Sequence, residues 1–267
     1  MAIAALVGAC HRRHIPVDAV PELGYPTCSD GGVEDLGVPL AWGHIRSGPI
    51  SSERDVVERF DLRRSLCGYT YRGRQEWPRA TSDVEVRFDF ELRPLWAWKR
   101  MTVPGSKRSD GHADIRRYEL RTGEVFIKRR DAAGQTTLER LLQGGRRRAP
   151  AGARVGAVIG PGRGVLTAWL HRARLPVGGK TFDLVLDFRS AVESLEIASL
   201  ERSEDRLEPS LGRTVRVYTF YGQETVFADD EDTVVGDLAG MRPSDSLPGP
   251  EPPPMPMYGD PDPEHTP

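Results

Sequence analysis

The sequence predicts a mainly β protein: a curved antiparallel sheet, as an open or half barrel, with one covering helix, an irregular N-terminal stalk and a disordered C-terminal tail. Three observations predict this fold class. Apolar and polar residues alternate over many short segments, turn residues separate those segments, and Pro and Gly are frequent towards both ends of the chain. A period of two places apolar side chains on one face of a strand, and many strands joined by short turns favour an antiparallel sheet.

The strand pattern is clearest from Val84 to Leu92, where apolar and charged residues alternate over nine positions. From Val215 to Tyr221 both registers carry apolar or aromatic residues, which indicates a strand covered on both faces. The shorter segments that share this period are 56–62, 115–120, 124–128, 182–188, 195–200 and 233–238.

The helix is expected from Gly164 to Arg174. Its apolar residues Leu166, Trp169, Leu170 and Ala173 recur at helical spacing, and Pro176 follows as a stop signal. Such a helix would lie across the curved sheet and cover its apolar face.

The chain is expected to divide into four parts. Residues 1–10 resemble a lipoprotein signal, 11–54 form a Pro- and Gly-rich stalk, 55–242 form the β-rich domain, and 243–267 form a Pro-rich tail. Regular structure is disfavoured in the stalk and the tail because Pro interrupts helices and ladders, and because the tail has little to bury in a core.

The first ten residues are a short apolar run that ends in two small residues and Cys10. This pattern resembles the bacterial lipobox, although no Lys or Arg precedes the Cys. The resemblance implies a diacylglycerol thioether on Cys10 and cleavage before it. The expected location is then the cell envelope, in an outer-membrane-anchored lipoprotein that faces the periplasm or the outside. The alternative is an ordinary apolar N-terminus that happens to precede a Cys.

Two further cysteines remain if Cys10 carries lipid. In an oxidising compartment Cys28 and Cys67 would form a disulfide, which closes a loop of about 40 residues and stabilises the fold by roughly 3–4 kcal/mol. Two unrelated buried thiols are the alternative. The spacing of these cysteines matches no zinc pattern, and neither a metal nor another cofactor is expected.

Two stretches, 146–179 and 212–238, share their order and spacing with a family. They contain Gly160-Pro161-Gly162-Arg163-Gly164 before the expected helix, and Val234-Val235-Gly236-Asp237-Leu238 near the end. In this they are similar to uncharacterised β-rich bacterial envelope lipoproteins, which resemble the half-barrel domains of lipoprotein carriers. The resemblance implies a curved sheet with an apolar concave face, and it brings no catalytic residue.

Two groups of residues are candidates for ligand contact. Trp96 and Trp98 share one face of an alternating strand and could line a ligand surface, although core aromatics have the same pattern. Arg146, Arg147 and Arg148 could contact anionic lipid headgroups, although a solvated loop is the simpler interpretation. The net charge of −2 gives no bulk attraction to nucleic acid, and no nucleic-acid partner is expected.

The function expected from these features is non-catalytic: the binding of an apolar or amphipathic ligand, or support of an envelope assembly. One alternative is an extracytoplasmic hydrolase of envelope polymer, with Asp110, His112 and Asp114 as its candidate cluster. A second is nucleotide binding through Gly160–Gly164, at the start of the helix. That loop departs from the dinucleotide fingerprint, and the second alternative requires a parallel sheet beside it.

Overall fold

The structure, a computed structural model, describes residues 14–16, 37–48, 55–103, 114–120, 124–130, 135–190 and 192–244. Over these residues the protein is mainly β with one helix, as the sequence predicts. No helix in these ranges is long and apolar enough to span a membrane.

The strands form two sheets, where the sequence predicted one. The larger sheet has ten strands in the order β1-β9-β8-β7-β6-β5-β4-β3-β2-β16, and every neighbouring pair is antiparallel. Its strands are β1 (His14–Pro16), β2 (Val38–Ser47), β3 (Val57–Ser65), β4 (Gly68–Trp77), β5 (Ala80–Phe88), β6 (Pro94–Thr102), β7 (Asp114–Glu119), β8 (Val125–Arg130), β9 (Thr136–Leu141) and β16 (Met241–Pro243).

The smaller sheet has six strands in chain order and curls into a half barrel. Only its first pair, β10 and β11, is parallel. Its strands are β10 (Ala157–Ile159), β11 (Lys180–Asp187), β12 (Ser194–Glu208), β13 (Arg213–Phe220), β14 (Glu224–Ala228) and β15 (Val234–Asp237).

The helix α1 (Leu166–Ala173) confirms the predicted covering helix. Its Trp169 and Leu170 pack with Val185, Leu200 and Tyr218 of the smaller sheet. Arg174 ends the helix in the left-handed region with φ of 43°, and its N–H donates to the Leu170 carbonyl oxygen. The helix therefore closes one face of the half barrel.

The main core lies between the two sheets. Tyr118 of the larger sheet stacks on Phe188, just beyond β11, with 5.0 Å between the ring centroids. The buried residues that join them in this cluster include Leu62, Tyr71, Val84, Val86, Ala97, Ile127, Val158, Leu184 and Leu186. The alternating residues of 84–88 thus face the core as predicted.

The expected strand from Val84 to Leu92 ends earlier, at Phe88. Asp89 begins a turn in which its side-chain Oδ1 accepts hydrogen bonds from the Glu91 and Arg93 amides. Leu92 adopts a left-handed φ of 57°, and Phe90 is exposed. The side-chain bonds of Asp89 favour this turn over continued pairing.

The predicted irregular stalk over 11–54 is wrong for Val38–Ser47, which forms β2 and pairs with β3 and β16. The β-rich domain therefore begins before residue 55. Pro39 is tolerated because the ladder between β2 and β3 shifts register between Pro39 and Ala41. Apart from 14–16 and 37–48, the predicted stalk lies outside the described residues, as does the tail beyond Ser244.

Candidate functional site

A cleft of about 490 Å³ opens between the two sheets, where β4, β6, β15 and β16 approach the ends of β10 and β11. Its lining includes the apolar side chains of Trp77, Met101 and Met241. It also includes the polar side chains of Gln75, Arg163 and Arg189. The cleft therefore presents hydrogen-bonding groups and an apolar surface to the same volume.

Arg163 is held in place by Asp237. Its Nε donates to Asp237 Oδ2 at 3.0 Å, and Oδ1 of the same carboxylate accepts the Met241 amide at 2.9 Å. Asp237 ends β15 and Met241 begins β16, so a single carboxylate links the arginine to the turn between the two sheets. The guanidinium remains partly exposed at the cleft.

Arg189 has a similar arrangement on the other side. Its Nε and Nη2 both donate to the Asp187 carboxylate, and its Nη1 donates to Glu224. These pairs fix the guanidinium across the ends of β11 and β14, where it also lies over the Phe220 ring. Two oriented guanidinium groups, each neutralised by its own carboxylate, thus border the cleft.

Gln75 is the unusual polar group of the cleft. It is 5% exposed, and no hydrogen-bond partner reaches its Oε1. Ser82, its register partner on β5, has a buried Oγ that is also without a hydrogen bond. A buried acceptor without a partner is costly, so a ligand that donates to it would be favoured.

Glu58 belongs to β3 and is completely buried. Its carboxylate lies at the start of α1, near the cleft. Its Oε2 accepts the Arg163 amide at 2.7 Å and its Oε1 accepts the Gly164 amide at 2.6 Å. Burial raises the pKa of this carboxyl to about 7, against the lowering effect of the two amides. The anion at this helix start is therefore a side chain of the protein itself.

The nucleotide-binding alternative gains no support from this arrangement or from the sheet, and it stays a prediction. The loop Gly160–Gly164 follows β10, whose parallel pairing with β11 is confined to three residues, and the rest of the sheet is antiparallel. A Cβ at Gly162 would lie 2.5 Å from Glu58 Oε1, and one at Gly164 would lie 2.2 Å from the Phe60 ring. Gly162 therefore allows close packing against the Glu58 carboxylate, and Gly164 allows close packing against the Phe60 ring.

A second buried polar group joins the sheets beyond the cleft. Glu193, just before β12, accepts hydrogen bonds from Arg116, Tyr118 and Arg129 of the larger sheet, at 2.6, 3.0 and 2.6 Å. Although burial opposes its ionisation, the two guanidinium groups hold the pKa of Glu193 below its usual range.

Lys99 makes a comparable link from β6. Its Nζ donates to the Phe188 and Ser190 carbonyl oxygens at 2.7 and 3.2 Å. Burial and the neighbouring Arg116 lower its pKa to about 8. The charged side chains around the cleft thus act largely as fixed connections between the two sheets.

The tryptophans predicted as a ligand face do share one face of β6, but they are buried, with 3% of Trp96 and 2% of Trp98 exposed. They lie on the face opposite Ala97, which belongs to the main core. Trp96 and Trp98 are therefore not part of the cleft.

The arginines predicted to contact headgroups, Arg146, Arg147 and Arg148, are all exposed. Arg147 lies over the Phe182 ring at 4.6 Å, and 48% of Phe182 is exposed. This places a cationic and aromatic patch on the smaller sheet, and contact with lipid headgroups stays a prediction.

The candidate hydrolase cluster is only partly described. Asp110 and His112 lie outside the described residues, and Asp114 forms an ion pair with Arg116 at 2.6 Å. Among the residues that the structure describes, no group of three His, Cys, Asp or Glu side chains could hold a metal ion. The hydrolase alternative stays untested.

The cysteine predictions also stay open. Cys10 and Cys28 lie outside the described ranges, and Cys67 is exposed in the turn between β3 and β4. Lipidation of Cys10 and the Cys28–Cys67 bridge therefore remain predictions.

Sequence reasoning missed the groups that shape the cleft. Glu58 shares its register with Phe60 and Leu62, and Lys99 shares its register with Ala97. A charged residue in the apolar register of a strand was the available signal, because that register faces the core.

Comparisons with known proteins give little further information. No family model matches the chain, and no curated protein matches it. A solved structure that matches is the crystal structure of a DUF1089 family protein from Pseudomonas aeruginosa. It is 14% identical, covers 74% of this chain and 97% of that chain, and has a TM-score of 0.41.

Proposed function

We propose that this protein is a non-catalytic binding protein that takes an amphipathic ligand in the cleft between its sheets. The apolar concave surface is not free for a large lipid, because α1 and the larger sheet already fill both faces of the half barrel. A cleft of about 490 Å³ remains between the sheets, and both apolar and polar side chains line it. It suits the headgroup and the first carbons of an amphiphile.

The observation that carries this proposal is the unpartnered Oε1 of Gln75. This oxygen could accept a hydrogen bond from a ligand, and the remaining N–H groups of Arg163 and Arg189 could donate to one. A hydroxyl group supplies both, so we expect a hydroxyl-bearing headgroup near Gln75 and an alkyl portion against Trp77, Met101 and Met241. The two arginines have carboxylate partners, which disfavours a headgroup chosen for charge alone.

The test uses three amphiphiles that share an octyl chain, each below its critical micelle concentration: octyl glucoside, octyl sulfate and octyltrimethylammonium. Calorimetric titration should show the tightest binding for octyl glucoside. Gln75→Leu should weaken that binding by about five- to tenfold, the worth of one hydrogen bond. The exposed turn residue Gln223 provides the matched control, Gln223→Leu, with unchanged affinity. Equal binding of the three headgroups, or no effect of Gln75→Leu, would contradict the proposal.

The proposal includes attachment to the envelope membrane through lipid on Cys10, with the Arg146–Arg148 patch and Phe182 near the lipid surface. The support is the lipobox-like sequence and the exposed pairing of Arg147 with Phe182. Intact-mass analysis of protein extracted from membranes should show a diacylglycerol-containing adduct on Cys10. A reductant should add about 2 Da if Cys28 and Cys67 are bridged. An unprocessed chain with three free thiols would contradict the attachment.

A further inference from the structure

A second cavity, of about 640 Å³, lies beyond the C-terminal end of α1. It is bordered by the loop after α1, by β12 and β13, by the turn between β14 and β15, and by one residue of β2. Its lining residues are Leu40, His171, Arg174, Leu175, Pro176, Arg202, Arg216, Asp230, Glu231 and Asp232. None of these residues lines the cleft between the sheets. We call this space the helix-end cavity, and its volume is typical of a small-molecule site.

The walls of the helix-end cavity are fixed by hydrogen bonds. The loop after α1 is tied to β12, because backbone hydrogen bonds of 2.7 and 3.0 Å join Arg202 to residues 178–179. On the other side, Asp229 Oδ1 accepts the Glu231 and Thr233 amides and holds the turn between β14 and β15. The cavity is therefore preformed, and a ligand would bind without having to order its walls.

Two arginines of the cavity are neutralised by carboxylates of the protein. Arg202 donates through Nε and Nη2 to Asp205, and its Nη1 donates to the Leu175 carbonyl oxygen at 2.9 Å. Arg216 pairs with Asp232 at 2.8 Å. These two pairs together carry no net charge, so this part of the cavity does not select a ligand of either sign.

Charged groups of both signs remain unpaired elsewhere in the cavity. Arg174 donates through Nε to the His171 carbonyl oxygen at 3.3 Å, and its guanidinium forms no ion pair with any residue that the structure describes. Asp230 and Glu231 are exposed in the turn and likewise form no ion pair within the described ranges. The cavity thus offers a cation to an anionic group and two carboxylates to a cationic group of the same ligand.

His171 adds an uncharged hydrogen-bonding group beside Arg174. Its Nε2 is buried and has no hydrogen-bond partner among the described residues. Burial lowers the pKa of His171, although Asp232 and Asp229 oppose this effect, so the imidazole is neutral at pH 7. A neutral imidazole can donate one hydrogen bond and accept another, which matches the N–H and carbonyl groups of a peptide bond.

We propose that the helix-end cavity binds a short peptide with free termini and apolar side chains. Arg174 pairs with the terminal carboxylate, Asp230 and Glu231 pair with the terminal ammonium group, and His171 contacts the peptide bond. The apolar lining residues contact the side chains of the peptide. A ligand of a single charge would leave one set of charged groups unpaired, so electrostatic complementarity favours a zwitterion. The inference goes beyond the ligand of the cleft and is independent of it.

Calorimetric titration of the full chain with four forms of one dipeptide tests the proposal. The forms are Leu-Leu, N-acetyl-Leu-Leu, Leu-Leu-amide and N-acetyl-Leu-Leu-amide. Leu-Leu should bind with a Kd of roughly 0.1–1 mM, and loss of either charged terminus should weaken binding by about tenfold. Octyl glucoside should not displace Leu-Leu, since the cleft and the cavity share no residue. No binding of Leu-Leu at about 10 mM, equal binding of the four forms, or displacement by octyl glucoside would overturn the proposal.

Two variants test which residues pair with each terminus. Arg174→Gln should weaken binding of Leu-Leu by about tenfold and leave Leu-Leu-amide, which has no carboxylate, unchanged. The double variant Asp230→Asn, Glu231→Gln should weaken Leu-Leu and leave N-acetyl-Leu-Leu, which has no ammonium group, unchanged. Arg213→Gln, at an exposed position of β13 outside the cavity, is the control for loss of one positive charge and should keep the affinity. An equal effect of Arg174→Gln on Leu-Leu and Leu-Leu-amide, or no effect on either, would overturn the proposal.

Discussion

Glu58 accepts two consecutive amide hydrogen bonds at the start of α1 while it is completely buried. Burial raises its pKa from 4.5 to about 7, because the charged form loses its hydration. A raised pKa means that protonation stabilises the folded state relative to the unfolded state. This stabilisation is complete below about pH 4.5 and is lost as the pH rises through about 7.

Glu58→Gln should therefore remove this pH dependence. In the natural protein Glu58 should make the free energy of unfolding about 3 kcal/mol smaller at pH 8 than at pH 4.5. Urea unfolding at both pH values should show a correspondingly smaller decrease for Glu58→Gln. The exposed Glu91 gives the control Glu91→Gln, which should keep the natural difference. Parallel pH profiles for Glu58→Gln and the natural protein would contradict the assignment.

Gly164 illustrates a packing requirement at the same loop. Gly164→Ala places a methyl group into the Phe60 ring, and either the loop or β3 must move. We expect a loss of about 2–3 kcal/mol in the free energy of unfolding, as for an overpacked core. Gly144→Ala is the control, since its Cβ would meet only the Leu195 carbonyl oxygen at 4.0 Å. Equal thermal midpoints for the two variants would show that the loop adapts.

At the scale of the element, two hairpins are closed by the same kind of turn. Asp89 between β5 and β6 and Asp229 between β14 and β15 each accept two amides of their own turn. Leu92 and Asp232 occupy the equivalent left-handed positions, with φ of 57° and 65°. The acidic run 229–232 is thus explained by turn formation at its first residue.

The neighbouring acids of this run provide a matched test. Asp229→Ala removes the acceptor of the Glu231 and Thr233 amides and should lower the free energy of unfolding by about 1–2 kcal/mol. Asp230→Ala, one residue along and exposed, should change it by less than about 0.5 kcal/mol. Chemical denaturation of both variants measures the difference. Similar losses in the free energy of unfolding for the two variants would show that the charge of the turn, and not the hydrogen bonds of Asp229, stabilises the hairpin.

At the scale of the whole molecule, buried polar side chains connect the larger sheet to the half barrel and its helix. Glu58 reaches the start of α1, Lys99 reaches the end of β11, and Glu193 reaches back to β7 and β8. Each connection joins segments more than sixty residues apart. They fix the position of one sheet relative to the other, and therefore the shape of the cleft between them.

Glu193→Gln should weaken this joint strongly. The amide leaves Arg116 and Arg129 without their shared carboxylate in a largely buried site, and the loss should be about 3 kcal/mol. The exposed Glu204, which pairs with Arg206, gives the control Glu204→Gln with a change below about 1 kcal/mol. Guanidinium unfolding followed by fluorescence measures both. A small effect of Glu193→Gln would mean that the sheets are held by apolar packing alone.

The local patterns of the sequence determined a large part of the fold. Alternation identified the strands around Val86 and Val217, and helical spacing identified α1, because each pattern reflects which face of an element is buried. The strand β2 was assigned to the stalk because Pro39 suggested irregular structure. The register shift that accommodates Pro39 between β2 and β3 could not be predicted from composition. The expected single sheet became two because strand order depends on long-range pairing.

The sequence by itself therefore determined the β class and the covering helix, which both rest on short-range patterns, whereas lipid attachment at Cys10 stays a prediction. Only the tertiary structure brought Gln75, Arg163 and Arg189 to one cleft and Glu58 to the glycine loop. The physical reason is that alternation specifies the face of each residue, whereas the partners of a buried polar group depend on which strands pair and how the sheets pack.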